Sequence, residues 1–279
     1  MRLTVVGCAG SFPGPDSPAS CYLVEAEETG PNGDRRTWRV VLDLGNGALG
    51  ALQRYIDPLD LDAILLTHLH PDHCLDVCSL HVLHRYHPER GAEYTDAGPL
   101  HLYGPPDTER RLSLAYEADA AKQEDADGEW ASGFRAGFHF HTLQEGHDVR
   151  VGPLRITPVP MCHPVPTFGL RVAGPAEDGT GEVTIAYTGD TDVCENLDTL
   201  AVGADVLLAE ASFAHGRAEA PGLHLTGRQA GQVAGAADAG VLVLTHIPPW
   251  NPPKMAAQEA VEVFDGPIET ARAGMQISL

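Results

Sequence analysis

The chain has 279 residues and a formal net charge of −21, from 39 acidic against 18 basic side chains. Its length suits one large domain or two small ones. Such a charge works against a polyanionic partner, because neutralising phosphate supplies most of the nonspecific affinity for nucleic acid. No apolar run approaches the roughly 20 residues that span a bilayer, so no membrane partner is expected.

In chain order, Arg2–Val6 reads as a strand that opens the sequence directly. That leaves no room for a signal peptide and, with six cysteines lacking a paired framework, predicts a reduced, cytoplasmic protein. The Gly7–Pro13 turn is glycine-rich, and Val41–Gly47 is a second strand-to-turn segment carrying Asp43. Asp and Gly mark turns without further meaning.

The apolar run Ala63–Leu66 predicts a buried strand ending in Thr67-His68-Leu69-His70-Pro71-Asp72-His73. Pro71 suits the first turn of a helix. Neutral imidazole and carboxylate are the usual ligands of zinc and similar divalent ions. One ion cannot easily take all four groups from so short a loop. Two can, with His68 and His70 on one and Asp72 and His73 on the other.

Cys74 and Cys78 lie one helical turn apart and are expected to pack rather than ligate. His81, His84 and His87 share a helical face and are expected to form a surface stripe. The acidic stretch from Tyr116 to Gly137 predicts a solvated helix and loop. His139-Phe140-His141 alternates as an edge strand would and is left out of the site.

Three later strands end in ligand-type residues. Leu154–Val159 precedes His163, Val183–Tyr187 runs into Thr188-Gly189-Asp190, and Val241–Leu244 runs into Thr245-His246. Asp190 could bridge two ions through its two oxygens, with Gly189 allowing close backbone approach. Between them, Val206–Ala209 leads to Glu210-Ala211-Ser212, and His224-Leu225-Thr226 opens a helix. Thr226 and Gln229 make a capping-box pattern, and Gly240 is the expected helix stop.

The His-x-His-x-Asp-His motif at 68–73, followed in order by His163, Asp190 and His246, resembles the metallo-β-lactamase superfamily over nearly the whole chain. The resemblance implies one αββα four-layer sandwich over residues 1–279, of the α/β (α+β) class, with two similar halves meeting near residue 150. It implies two divalent ions, zinc with manganese or iron(II) as possible substitutes. His68, His70 and His163 would hold one ion, Asp72, His73 and His246 the other, with Asp190 bridging. It also implies that Asp43 supports the metal loop.

The N-terminal Gly7–Pro13 and Ser17–Leu23 segments, with Glu210-Ala211-Ser212 and His224-x-Thr226, resemble the branch holding cyclic-nucleotide phosphodiesterases and tRNA 3′-processing endonucleases. There the histidine is a general acid oriented by the glutamate. The bacterial tRNA enzymes usually carry a long arm between the third ligand and the bridging aspartate. The stretch from His163 to Asp190 is too short for one.

The expected activity is hydrolysis of a small phosphodiester, a 3′,5′-cyclic nucleotide such as cyclic AMP, with Asp72, His224 and Glu210 as catalytic groups. tRNA 3′-end processing, arylsulfatase or lactonase activity, and a non-enzymatic metal-stabilised binding module remain as alternatives. A nucleic-acid partner is not expected, and a homodimer stays open. Trp250, just beyond His246, could stack on a nucleobase, pack under its loop or meet a second subunit.

Overall fold

The computed structural model describes residues 1–88, 99–117, 133–216 and 220–279. The bulk of the acidic stretch, residues 118–132, lies outside the described residues.

The run Ala63-Ile64-Leu65-Leu66 has no polar side because both of its faces are covered. Ala63 and Leu65 join one apolar cluster, Ile64 and Leu66 another. This strand, β4 (Ala63–Leu65), is an interior strand of a seven-stranded sheet. Around it stand β1 (Arg2–Gly7), β2 (Cys21–Thr29), β3 (Arg35–Leu42), β5 (Leu100–Gly104), β6 (Phe138–Thr142) and β14 (Gln276–Ser278), in the order β14-β1-β2-β3-β4-β5-β6.

The second sheet contains β7 (Val149–Val151), β8 (Leu154–Pro160), β9 (Phe168–Pro175), β10 (Glu182–Tyr187), β11 (Val206–Glu210), β12 (Val241–Thr245) and β13 (Ile268–Thr270). Its order is β13-β12-β11-β10-β9-β8-β7.

One core lies between the sheets, where Leu3, Tyr22, Leu42 and Leu65 meet Ile156, Leu170, Tyr187 and Leu208. A second lies between the first sheet and the helices α1 (Ala48–Leu52), α2 (Pro71–Cys74), α3 (Val77–Tyr86) and α4 (Thr108–Tyr116). The third lies between the other sheet and α5 (Asn196–Ala201), α6 (Gly227–Ala236) and α7 (Pro253–Ala260). Helix, sheet, sheet, helix is the four-layer order expected from the sequence. No helix among the described residues is long and apolar enough to cross a membrane.

Strands β3, β4 and β5 are mutually parallel, as are β10, β11 and β12. The C-terminal ends of parallel strands are where α/β folds gather functional loops. Every candidate ligand follows such an end or that of β8.

Cys74 is buried and Cys78 partly so in the helix-side core, as packing residues. The edge position of β6 also agrees with its alternating histidines. Two expectations need correction. Helix α6 ends before Gly240, at a turn where Asp238 takes a positive φ of 53°. Gly240 is constrained instead by close approach to the Asp205 backbone.

The second correction concerns the histidine stripe on α3. His81 and His84 are only 3% and 2% exposed. Tyr116, Phe134 and Phe138, from elements distant in sequence, surround His81 with ring centroids 4.8 to 6.1 Å away. Burial outweighs a hydrogen bond to the Pro58 backbone carbonyl and pushes His84 down to about 4.

A depressed histidine value means that the unfolded chain takes up the proton first. His84 therefore withdraws stability as pH falls from about 6.5 toward 4, by on the order of 3 kcal/mol. In metal-free protein, His84→Leu should lose less stability than wild type between pH 7 and 4.5 when unfolded in urea. Equal losses would refute this role.

Candidate metal centre

Asp190 sits where the ligand loops of both sheets converge. It belongs to two groups of ligand atoms that lie within 4.8 Å of one another, His68, His70, His163 and Asp190, and Asp72, His73, Asp190 and His246. These are the seven residues singled out in the sequence, partitioned as the resemblance implied. The loop after β4 delivers four of them, and His70 starts α2 with Pro71 in its first turn. Gly189 has φ +58°, and a Cβ there would stand 3.0 Å from the Thr67 side chain. Close backbone approach beside Asp190 therefore requires glycine.

Hydrogen bonds on the far side of four rings fix which nitrogen carries the proton. His163 Nδ1 donates to the Leu223 carbonyl at 2.9 Å, and His73 Nδ1 donates to Asp43 Oδ2 at 2.7 Å. Thr67 donates its hydroxyl to Asp43, so it accepts from His68 Nδ1 at 3.1 Å. Ser212 donates to the His246 carbonyl and accepts from His246 Nδ1, each over 2.8 Å. In each neutral ring the Nε2 lone pair is left facing inward. Outer partners of this kind orient histidines that ligate metals.

Inward-facing lone pairs need positive charge between them. His73 Nε2 and His246 Nε2 are 3.1 Å apart. Asp190 Oδ1 is buried without a hydrogen-bond partner, though the same two nitrogens stand 3.2 and 3.4 Å away. Against the penalty of burial, Asp190 and Asp43 pull His73 well above the ordinary histidine value. A proton there supplies the charge that a divalent ion supplies on binding, with proton release. Burial pushes His68, His70 and His163 down, toward the neutral ligating form. The donor set, its protonation pattern and the orphaned oxygen all fit divalent cations.

Asp43 is fully buried at φ +60° and is no ordinary turn residue. Its carboxylate also accepts from the Thr67 backbone at 2.7 Å and from the Tyr187 hydroxyl at 2.8 Å. Asp43→Ala should therefore weaken metal affinity about 10–100-fold, the usual effect of losing an outer partner. Competition with a chromophoric chelator measures this; unchanged affinity would exclude the role.

Glu210, at the end of β11, is fully buried. One of its oxygens accepts from Thr191 N at 2.7 Å and from His224 Nδ1 at 2.9 Å. His224 precedes Thr226, which caps α6 in a complete capping box with Gln229. Its ring centroid lies 5.5 Å from that of His163 and 5.6 Å from that of His246, one member of each ligand group. Burial opposes its cationic form, but Glu210 and then Asp190 outweigh that and hold it at about 9. Two bound cations would pull it back down.

Thr67, Tyr187, Ser212 and the Leu223 carbonyl carry the outer contacts and were not singled out for them in the sequence. Thr67, Tyr187 and Ser212 lie within one to three residues of a motif position, which is their only local signal. Leu223 adjoins His224 in the same way, but it acts through a backbone carbonyl, which residue type does not reveal.

Converging imidazoles and carboxylates at strand ends of an αββα sandwich, beside an oriented histidine, define a metal-dependent hydrolase. The sequence agrees: residues 38–247 match the beta-lactamase superfamily domain. An uncharacterized protein of Mycobacterium tuberculosis is 42% identical, the match covering 96% of this chain and 88% of that protein. The probable metallo-hydrolase YhfI of Bacillus subtilis is 28% identical over 98% of each chain. Its crystal structure superposes with a TM-score of 0.76, covering 100% of this chain and 99% of that one. Ribonuclease Z of Myxococcus xanthus is 27% identical, covering 100% of this chain and 98% of its own. The chain belongs to the metallo-β-lactamase superfamily and is one of its metallo-hydrolases.

Proposed function

We propose that the chain is a phosphodiesterase holding two divalent ions, zinc in the first instance with manganese or iron(II) as substitutes, and that it hydrolyses a 3′,5′-cyclic nucleotide. The His224–Glu210 pair carries this reading, because it puts a proton donor beside both ligand groups. The sugar alkoxide expelled from a nucleotide ester is a poor leaving group and needs that proton. When bound, the two ions supply an acidified water and positive charge against the phosphoryl oxygens.

Asp72 Oδ2 lies 3.2 Å from His246 Nε2 within its ligand group and serves to orient the attacking water. His224 protonates the leaving oxygen through Nε2, while Glu210 holds Nδ1–H and so fixes the ring. Hydrolysis of a β-lactam calls for no such pair.

Likeness to ribonuclease Z favours a second reading, tRNA 3′-end cleavage. Two observations weigh against it. Between His163 and Asp190 the chain forms the tight hairpin β9–β10, paired from Leu170–Tyr187 to Pro175–Glu182, with no inserted arm. The net charge of −21 also repels a polyanion.

The metal-loaded protein should hydrolyse cyclic AMP or a close relative and leave precursor tRNA intact at physiological salt. Trailer removal without cyclic-nucleotide hydrolysis would promote the second reading. No turnover of bis-p-nitrophenyl phosphate would leave a binding module.

A further inference from the structure

Ser11, a non-glycine residue, has φ +66°. Phe12 N–H donates to the Gly10 carbonyl at 2.8 Å, which closes a γ-turn in its strained form. Strain of this kind persists only where neighbouring structure imposes it, and it clusters at ligand clamps. Here the metal-ligand loop imposes it. Gly10 N–H donates to the Ile247 carbonyl at 3.2 Å, and a Cβ on Gly10 would collide with the His246 carbonyl.

The turn is thereby fastened against the site. Ser11 N stands 3.5 Å from His246 Nε2, the nitrogen that faces the metal centre. From standard backbone lengths, the Phe12 Cα is at most about 9 Å from that nitrogen. Phe12 meets Trp250, from the far end of the His246 loop, with ring centroids 5.2 Å apart and planes at 43°. The two side chains stay 44% and 64% exposed. Two aromatic rings in mutual contact are thus held near the His246 side of the centre, one by a strained turn and one by a loop stiffened by Pro248 and Pro249.

We infer that Phe12 and Trp250 form a stacking platform for the nucleobase of the substrate, whose phosphate lies at the metal centre. This rests on the phosphodiesterase reading and gives it a specificity element. A flat π-face is what an aromatic pair recognises, and stacking tolerates any base. The predicted selectivity is therefore for nucleotides over base-free sugar phosphates, with little choice among bases.

The test is binding of adenosine 5′-monophosphate and of ribose 5-phosphate to the metal-loaded protein, followed by tryptophan fluorescence and equilibrium dialysis. The nucleotide should bind at least about tenfold tighter. Phe12→Ala and Trp250→Ala should each shrink that ratio, with metal content and ribose 5-phosphate affinity unchanged. Trp38→Phe should keep both the ratio and the nucleotide-induced quenching.

Equal binding of the two ligands to wild type, or a ratio that survives both variants, would overturn the platform. So would a dimer that Trp250→Ala dissociates while the ratio stays intact, which would assign the pair to a second copy of the chain. The platform and the underlying reading fail separately. Cyclic-nucleotide hydrolysis with the KM unchanged in both variants removes the platform alone. A base-dependent ratio lost in the variants, without hydrolysis of any cyclic nucleotide by wild type, removes the reading alone.

Discussion

His224→Ala should keep its full metal content and lose about 10²–10⁴ in turnover on a cyclic nucleotide, the usual worth of general acid catalysis. The loss should be much smaller on a p-nitrophenyl ester, because p-nitrophenolate departs without a proton. The contrast follows from position. His224 lies between the two ligand groups, but Glu210 Oε1 holds its Nδ1 at 2.9 Å, so that nitrogen is committed elsewhere. Glu210→Gln should reproduce part of the effect, because an amide still holds the ring but gives the cation no charge. Equal losses on both esters would sink the acid role. Loss of metal from His224→Ala would make His224 a ligand instead.

Asp190→Ala should fail in another way. Asp190 is the member shared by both ligand groups and is flanked by His68, His73 and His246. Without it, Asp72 is the one carboxylate of the two ligand groups left against the converging imidazoles, and it lies on the His73 and His246 side alone. Metal content should fall from two ions to one or none. Turnover on both kinds of ester should fall by more than about 10⁴, the upper end for losing a proton donor. Circular dichroism of the variant separates a lost site from a lost fold. A folded Asp190→Ala protein that retains two ions would contradict the bridging assignment.

The candidate ligands were legible because they stand just beyond apolar runs, four of them in one contiguous pattern. Ala63–Leu66 and Val241–Leu244 are apolar throughout because both faces of each strand are covered, and the loops carrying candidate ligands follow directly. The capping box at Thr226 was legible for a similar reason, since its whole mechanism lies within four residues. What escaped depends on contacts distant in sequence. His81 and His84 look like a solvated stripe until Tyr116, Phe134 and Phe138 close over the α3 face. The Leu223 carbonyl that orients His163 has no side-chain signature at all. Asp43 read equally well as a turn residue, and only its four short contacts to Thr67, His73 and Tyr187 decide its role.

The central claim is a catalytic pair of divalent ions, and titration of chelator-stripped protein tests it most directly. Zinc is added in known equivalents while bound metal and hydrolysis of bis-p-nitrophenyl phosphate are followed together. Binding should saturate at two ions per chain, with activity reaching its plateau at the second equivalent. Saturation and full activity at a single equivalent, or activity that persists without metal, would contradict it.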